Sequence, residues 1–217
     1  MPEAPTGRPY VFVNMVSTLD GKTTLGGDHP SASGIGSETD QKLMHRLQEI
    51  ADGILIGAGT LRAGNIIYPI GPVRAAISAS CDLPLENRFF RDDPERLRIF
   101  TVRGCDNLGL NRFCVYDLAP LPQNRLDVLQ VLAILREREG VRRLLVEGGA
   151  RLNFELLSRD VLDEIFLTVA PKLTGGQDRP TVIGGAGLDA GAFRRMRLIS
   201  IYRHGSEIYM RYRRNGR

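Results

Sequence analysis

Apolar positions fall into two patterns along the chain: short continuous runs, and longer stretches where they recur every three or four residues. YVFVNMVSTL (10–19) is apolar nearly throughout and closes at Asp20-Gly21, as a strand buried on both faces does. GILIGAG (53–59), VRAAIS (73–78), RLRIFTV (96–102), RRLLVEGG (142–149) and EIFLTVAPKL (164–173) predict further strands, with RFCVYD (112–117) a weaker one. Helical spacing appears at Leu43, Met44, Leu47 and Ile50, which predicts a helix over 38–51 opened by Ser37 and Asp40. Leu129, Leu132 and Leu135 predict a helix over 126–138 that Gly140 stops, and Leu152–Leu157 opens another. The end, RMRLISIYRHGSEIYMRYRR, alternates around His204-Gly205 as a β-hairpin does. Strands alternating with helices and closing on a hairpin predict one α/β domain, with a mostly parallel sheet and an antiparallel edge. No repeat or linker divides the 217 residues, and residues 1–8 are expected to be flexible.

Composition changes this picture little. A net charge of +4 from 29 basic and 25 acidic residues is too small and scattered for a nucleic-acid surface, though it suits an anionic small ligand. No apolar run approaches the roughly 20 residues of a membrane span. MPEAPTGRP has no signal-peptide core, so a cytoplasmic protein is expected. The three cysteines and three histidines are too dispersed for a zinc site, and the cysteines are expected to be buried small hydrophobes.

The chemistry concentrates where strands end in glycine. Glu147-Gly148-Gly149 follows an apolar run and precedes a helix, whose free amides and partial positive charge attract phosphate. Glycine lets a phosphate lie against the backbone; the plainer alternative is a tight turn. Glu147 ends a buried strand, where open α/β sheets place ligands, and a buried carboxylate needs a partner such as a ligand amino group. Gly57-Ala-Gly59 lacks the third glycine of a dinucleotide fingerprint but places Thr60 beside a strand end. Asp20-Gly21-Lys22 is either a plain turn or a loop that closes over a cofactor and offers a cation. Arg103 is placed to meet an adenosine 2′-phosphate, unless it is simply solvated. Arg211, Arg213 and Arg214 are most simply a solvent face.

Together VNMVSTLDGKTT, MHRLQEIADGILIGAGTLRAG, LLVEGGARLNFELL and LDEIFLTVAPKLTGG resemble, in order and spacing, the riboflavin-biosynthesis pyrimidine reductase family over residues 8–185. The resemblance implies a dihydrofolate reductase-like fold and a homodimer. It also implies an NADPH-dependent reductase, taking a ribosylamino-pyrimidine 5′-phosphate to its ribitylamino product. Hydride goes to C1′ of the sugar, in effect to the Schiff base formed when the ring opens. It implies cofactor contacts at Ser17, Gly57, Thr60 and Gly148-Gly149-Ala150-Arg151-Leu152, beside the Arg103 already singled out by its place after RIFTV. Substrate contacts fall at Asn14, Ser33, Arg46 and Glu147, and Asp20, Lys22 and Glu147 are the candidates for catalysis. No metal is implied. The chain departs from the family at Gly64-Asn65-Ile66, where a cofactor-binding Asp is absent. Gln48 and the region of Gly71 stand where arginines grip the substrate phosphate; Arg46, Arg62 and Arg74 are candidate substitutes. A pterin-like heterocycle, or nucleotide binding without this reduction, is the alternative.

Overall fold

The structure is a computed structural model that describes residues 1–26, 32–64, 71–102, 109–122 and 125–215. The pattern of contacts divides the chain into two compact units, Met1–Tyr10 with Gln48–Leu145 and Val11–Leu47 with Val146–Arg217. Strand β1 (Tyr10–Ser17) and helix α1 (Glu38–Glu49) belong chiefly to the second.

In the first unit, β2 (Gly53–Gly57), β3 (Val73–Ser78), β4 (Leu97–Val102) and β5 (Cys114–Leu118) pair in parallel. With β6 (Arg143–Val146) the order is β5-β4-β3-β2-β6. Ile54, Leu55, Ile56, Ile99 and Phe100 are wholly buried, which is why these strands are apolar runs rather than alternations. Between them lie α2 (Ala58–Ala63), α3 (Arg88–Arg91) and α4 (Val128–Glu137). Asp127 caps α4 by accepting from the Leu129 amide at 3.0 Å. Its buried stripe is Val128, Val131, Leu132 and Leu135, and Leu129 is exposed. The helix is apolar on most sides, so spacing alone put Leu129 on the core face.

In the second unit the order is β1-β7-β9-β8, with β7 (Glu164–Val169), β8 (Met196–His204) and β9 (Glu207–Arg214). β1 and β7 run parallel and end together at Ser17 and Val169; β9 is antiparallel to both β7 and β8. The sheet is thus mostly parallel with an antiparallel C-terminal hairpin, as the pattern predicts. β7 ends before Pro171, which lacks the amide a ladder needs. Helix α5 (Ala150–Ser158) precedes β7. Among the described residues no helix is long and apolar enough to cross a membrane.

Three expectations fail. Cys81 is disulfide-bonded and Cys114, on β5 at the end of the strand order, is free and exposed; neither is a buried small hydrophobe. Cys105 lies outside the described residues. The C-terminal arginines are not a plain solvent face. Arg211 and Arg213 meet the wholly buried Glu164, and Arg214 meets Asp160 at 3.0 Å and Asp163 at 3.3 Å. A buried carboxylate at the start of β7 needs such partners. Arg74, finally, is buried, and its guanidinium donates to the carbonyls of Phe89 (2.9 Å) and Asp93 (2.5 Å) and lies over the Phe89 ring. It holds the 89–93 segment and is not free to meet a substrate phosphate. Arg74→Met is therefore expected to lower unfolding free energy by roughly 2–4 kcal/mol, since it strands two carbonyls. Urea titration checks this; unchanged stability with a raised substrate KM would instead point to a ligand role.

Candidate active site

The parallel pair β1–β7 delivers two loops to one edge of the second unit, 18–26 after Ser17 and 170–183 after Val169. Carboxyl ends of parallel strands are where α/β sheets place ligands. The two loops are tied together. The Leu19 amide donates to Lys172 O at 2.8 Å, and the Thr23 amide to Pro180 O at 2.9 Å. Lys22 forms a bridge with Thr181. Lys172 Nζ donates to the carbonyls of Gly34 and Ile35, which fixes the segment that carries the exposed Ser33.

Asp20 is at the centre of these ties. Its Oδ1 accepts from Thr18 Oγ1 at 2.7 Å and from the Thr174 amide at 3.3 Å, and its Oδ2 accepts from the Gly175 amide at 2.7 Å. The Thr18 hydroxyl and then the two amides hold its carboxyl below the usual aspartate value. A carboxylate held ionised and engaged on both oxygens is a loop anchor and a poor proton donor. Lys22, two residues on, is half-buried, and its ammonium has no carboxylate partner among the described residues. Arg179, which sequence reasoning did not single out, also lies here. Its guanidinium occupies the space a Cβ would take at Gly26 and at Gly176, within 2.8 Å and 2.9 Å. Those glycines were its only signal in the sequence.

The second feature is the corner ahead of α5. Gly148, at φ +87°, takes a backbone conformation that suits glycine, and its peptide to Gly149 is cis. Gly149 is the N-cap of α5, and no side chain caps it. The first-turn amides of Ala150, Arg151 and Leu152 therefore fit an anion such as a dinucleotide diphosphate. The Arg151 side chain is exposed and that of Leu152 buried, so their part in such a site is through the backbone. Glu147 is half-buried and already interacts within the chain, so a need for a partner no longer argues for a ligand. Asn14, on β1, has a buried Oδ1 that accepts no hydrogen bond.

The remaining expected residues are dispersed. Ser17 is buried at the end of β1. Arg46 is exposed in the last turn of α1 and makes no ion pair among the described residues. In the first unit, Gly57 caps α2 without a side-chain bond, and Thr60 is half-buried within that short helix, which the glycine-rich stretch concealed. Arg62 is engaged by Asp82, through its carbonyl at 2.7 Å and its carboxylate at 3.3 Å. Gln48 is wholly buried. Arg103, Asn65 and Ile66 lie outside the described residues. Among the described residues no three His, Cys, Asp or Glu side chains gather as a metal set.

Residues 9–210 match the family model described as the RibD C-terminal domain. The chain belongs to the RibD C-terminal domain family. A relative from Archaeoglobus fulgidus, named 2,5-diamino-6-ribosylamino-4(3H)-pyrimidinone 5′-phosphate reductase, is 30% identical over 194 residues, 82% of this chain and 87% of its own. RibD of Acinetobacter baumannii shares the fold at a TM-score of 0.76 and 21% identity, over 97% of this chain; the chain spans 59% of that protein's length. A dihydrofolate reductase from Enterococcus faecalis, solved with NADP(H), reaches a TM-score of 0.58 at 12% identity over 98% of this chain and 99% of its own. The fold is therefore dihydrofolate reductase-like, and a reductase family on this fold suggests a nicotinamide cofactor.

Asp20 makes a testable contribution to the RibD-like loop edge. Its depressed value means that its bonds stabilise fully above the ordinary aspartate value of 3.8 and fail as pH falls through the lower folded value. Amide exchange at Gly175, corrected for intrinsic chemistry, is expected to be flat from neutral pH down to 3.8 and to accelerate below it. Asp20→Asn should exchange faster at every pH. Acceleration near neutrality in the wild type would show that this carboxylate does not hold the loop.

Proposed function

We propose that the chain is an NADPH-dependent reductase that converts a ribosylamino-pyrimidine 5′-phosphate to the ribitylamino compound in riboflavin biosynthesis. The observation that carries this reading is the uncapped start of α5 behind Gly148-Gly149, beside Glu147, in a member of the RibD family. The cofactor supplies the hydride; the chain's residues bind, orient and handle protons. The amides of Gly149 to Leu152 receive the diphosphate, and Ser17, buried at the end of β1, is a further cofactor contact. Glu147 accepts N–H groups of the pyrimidine, and Asn14 Oδ1 accepts one more. Lys22 Nζ donates to the sugar oxygen released as the ring opens, a task that Asp20, held ionised, does not take. Gly57 and Thr60 as cofactor contacts and Arg46 as a substrate contact rest on the motifs alone, and Ser33 and Arg103 on their places along the chain.

A second reading has one observation in its favour. Gln48 is buried where the resemblance places a phosphate-gripping arginine, and Arg62 and Arg74 are engaged by the protein. A pterin-like substrate without a phosphate would not need those cations. NADPH at a hundredfold excess over its Kd is expected to stabilise the protein by about 2.7 kcal/mol under either reading. Consumption of NADPH with the ribosylamino-pyrimidine phosphate supports the first; binding without turnover supports the second. Glu147→Gln is expected to raise substrate KM at least tenfold with NADPH affinity nearly unchanged. Gly149→Val should weaken NADPH first. Equal loss of both ligands in Glu147→Gln would make that residue structural.

A homodimer is part of the proposal. Leu167, Met210 and Ile201 lie side by side across β7, β9 and β8, with Ile208 next to them and Leu198 further along β8. Ile201 is 61% exposed and Leu198 46%, so this face leaves apolar side chains in water. A second copy applied about a two-fold axis would cover it. Light scattering is expected to give twice the chain mass, and Ile201→Arg to shift it toward the single-chain value. A wild type of single-chain mass at micromolar concentration rules the dimer out.

A further inference from the structure

Residues 178–187, DRPTVIGGAG, lie between two parts of the site and are bonded to both. On one side is the loop that carries Lys22. Pro180 O accepts from the Thr23 amide at 2.9 Å and from Thr23 Oγ1 at 3.2 Å, and Thr181 bridges Lys22. Thr181 Oγ1 donates onward to Ile183 O at 2.8 Å, which stiffens the segment. On the other side is the start of α5. Asn153 Nδ2 donates to Val182 O at 2.8 Å, and the Gly184 amide donates to Ala150 O at 3.0 Å. The approach to the helix is close enough to exclude side chains. A Cβ at Gly184 would sit 3.1 Å from that of Ala150, and one at Gly185 would sit 2.4 Å from the Phe154 ring.

Asn153 is an unsuitable residue for packing alone. It is wholly buried on α5, and its Oδ1 has no hydrogen-bond partner. An amide buried with its acceptor unmet costs stability that an apolar side chain of similar size would not. What it provides is one directed bond that fixes the distance between α5 and the carbonyl of Val182.

We propose that Asn153 is a positioning residue, which holds residues 180–184 as a strap and so sets the Lys22 loop in register with the first turn of α5. The inference rests on the proposed roles of those two parts, Lys22 toward the substrate and the α5 amides toward the cofactor. With the strap in place, the group that handles the substrate proton and the amides that hold the dinucleotide keep one fixed spacing. Released, each still binds its own ligand, but the near-attack arrangement is lost. Misplacement by about 1 Å can cost on the order of 100-fold in rate. Asn153 itself touches neither ligand in this reading.

The test uses Asn153→Leu, which removes the donor and the orphaned acceptor together, and Gly184→Ala, which presses the strap away from Ala150 and leaves Asn153 intact. Both are measured in the full chain for native-state amide exchange at Thr23, NADPH Kd, and kcat and KM with the ribosylamino-pyrimidine phosphate. Each variant is expected to exchange at Thr23 at least tenfold faster than wild type. NADPH Kd should stay within threefold, while kcat falls tenfold or more and KM changes less. Unchanged Thr23 exchange overturns the strap. So does a parallel loss of kcat and NADPH affinity, which would mean simple damage to α5. If Asn153→Leu does not fold, Gly184→Ala is judged by the same criteria. Exchange at Thr23 needs no turnover, so it decides the strap even if the wild type proves inactive on this substrate, an outcome that would count against the proposed function instead.

Discussion

A helix that starts on glycine must find partners for its first amides outside its own side chains, and α5 in the second unit is under that constraint. Serine or aspartate at the position of Gly149 would have supplied an acceptor locally. Glycine there costs only a few tenths of a kcal/mol relative to a capping side chain, so the absence of a cap is weak evidence for a ligand by itself. Its weight comes from what surrounds it. Gly148 needs its positive φ, Asn14 holds an unmet acceptor, and the loops after β1 and β7 are tied together beside the strand ends rather than left to solvent. Each has a bland explanation alone. Together they make the start of α5 and the ends of β1 and β7 the candidate site in the second unit.

The charges follow a similar division between what the fold uses and what it leaves over. An excess of four positive charges looks like an invitation to an anion until the arginines are placed. Arg74 binds two carbonyls, Arg62 binds Asp82, and Arg211, Arg213 and Arg214 neutralise Glu164, Asp160 and Asp163. Arg211 and Arg213, engaged by the wholly buried Glu164, cannot be lent to a ligand, because the carboxylate left behind would cost several kcal/mol. The exposed Arg62–Asp82 pair, by contrast, is held only weakly. At the loop edge of the second unit, Lys22 and Arg179 have no such carboxylate among the described residues. The cations with a function to offer are thus a small subset of the cations present, and composition does not identify them.

What the sequence made legible was local. The apolar runs became β1 to β4, β6 and β7, the hairpin formed about Gly205, and the glycine pair after Glu147 did open a helix. What it concealed depends on distant or competing contacts. Helix α2 hides behind Gly57-Ala58-Gly59, where helix propensity is poor and tertiary packing of Ala58 and Leu61 decides. Leu129 satisfies the spacing of a core residue but faces out, since Val128 and Val131 complete a better stripe. Asp20-Gly21 is indeed a turn, yet the amides that fix the Asp20 carboxylate lie more than 150 residues further along the chain. Arg179 and Asn153 escaped for the same reason. The division into two units left no compositional mark, because both draw on the first 50 residues and on the last half of the chain.

Gln48, which stands where the resemblance implies an arginine, bears on how far a family likeness carries to a substrate. An arginine that grips phosphate offers a planar fork of donors, and each charge-assisted bond is worth about 1.5–3 kcal/mol. Gln48 is wholly buried, so its amide lies inside the protein, and it has no charge to offer a phosphate. A lysine can meet a phosphate only as a hydrated point charge, with little demand on its orientation. If the phosphate is still recognised, recognition has moved from shape toward charge. Discrimination between phosphorylated and unphosphorylated substrates would then weaken with ionic strength, as exposed charge pairs do. A site built on a paired arginine fork would be far less sensitive to salt. The salt dependence of substrate KM therefore carries information about the anion-binding group that the motif likeness does not.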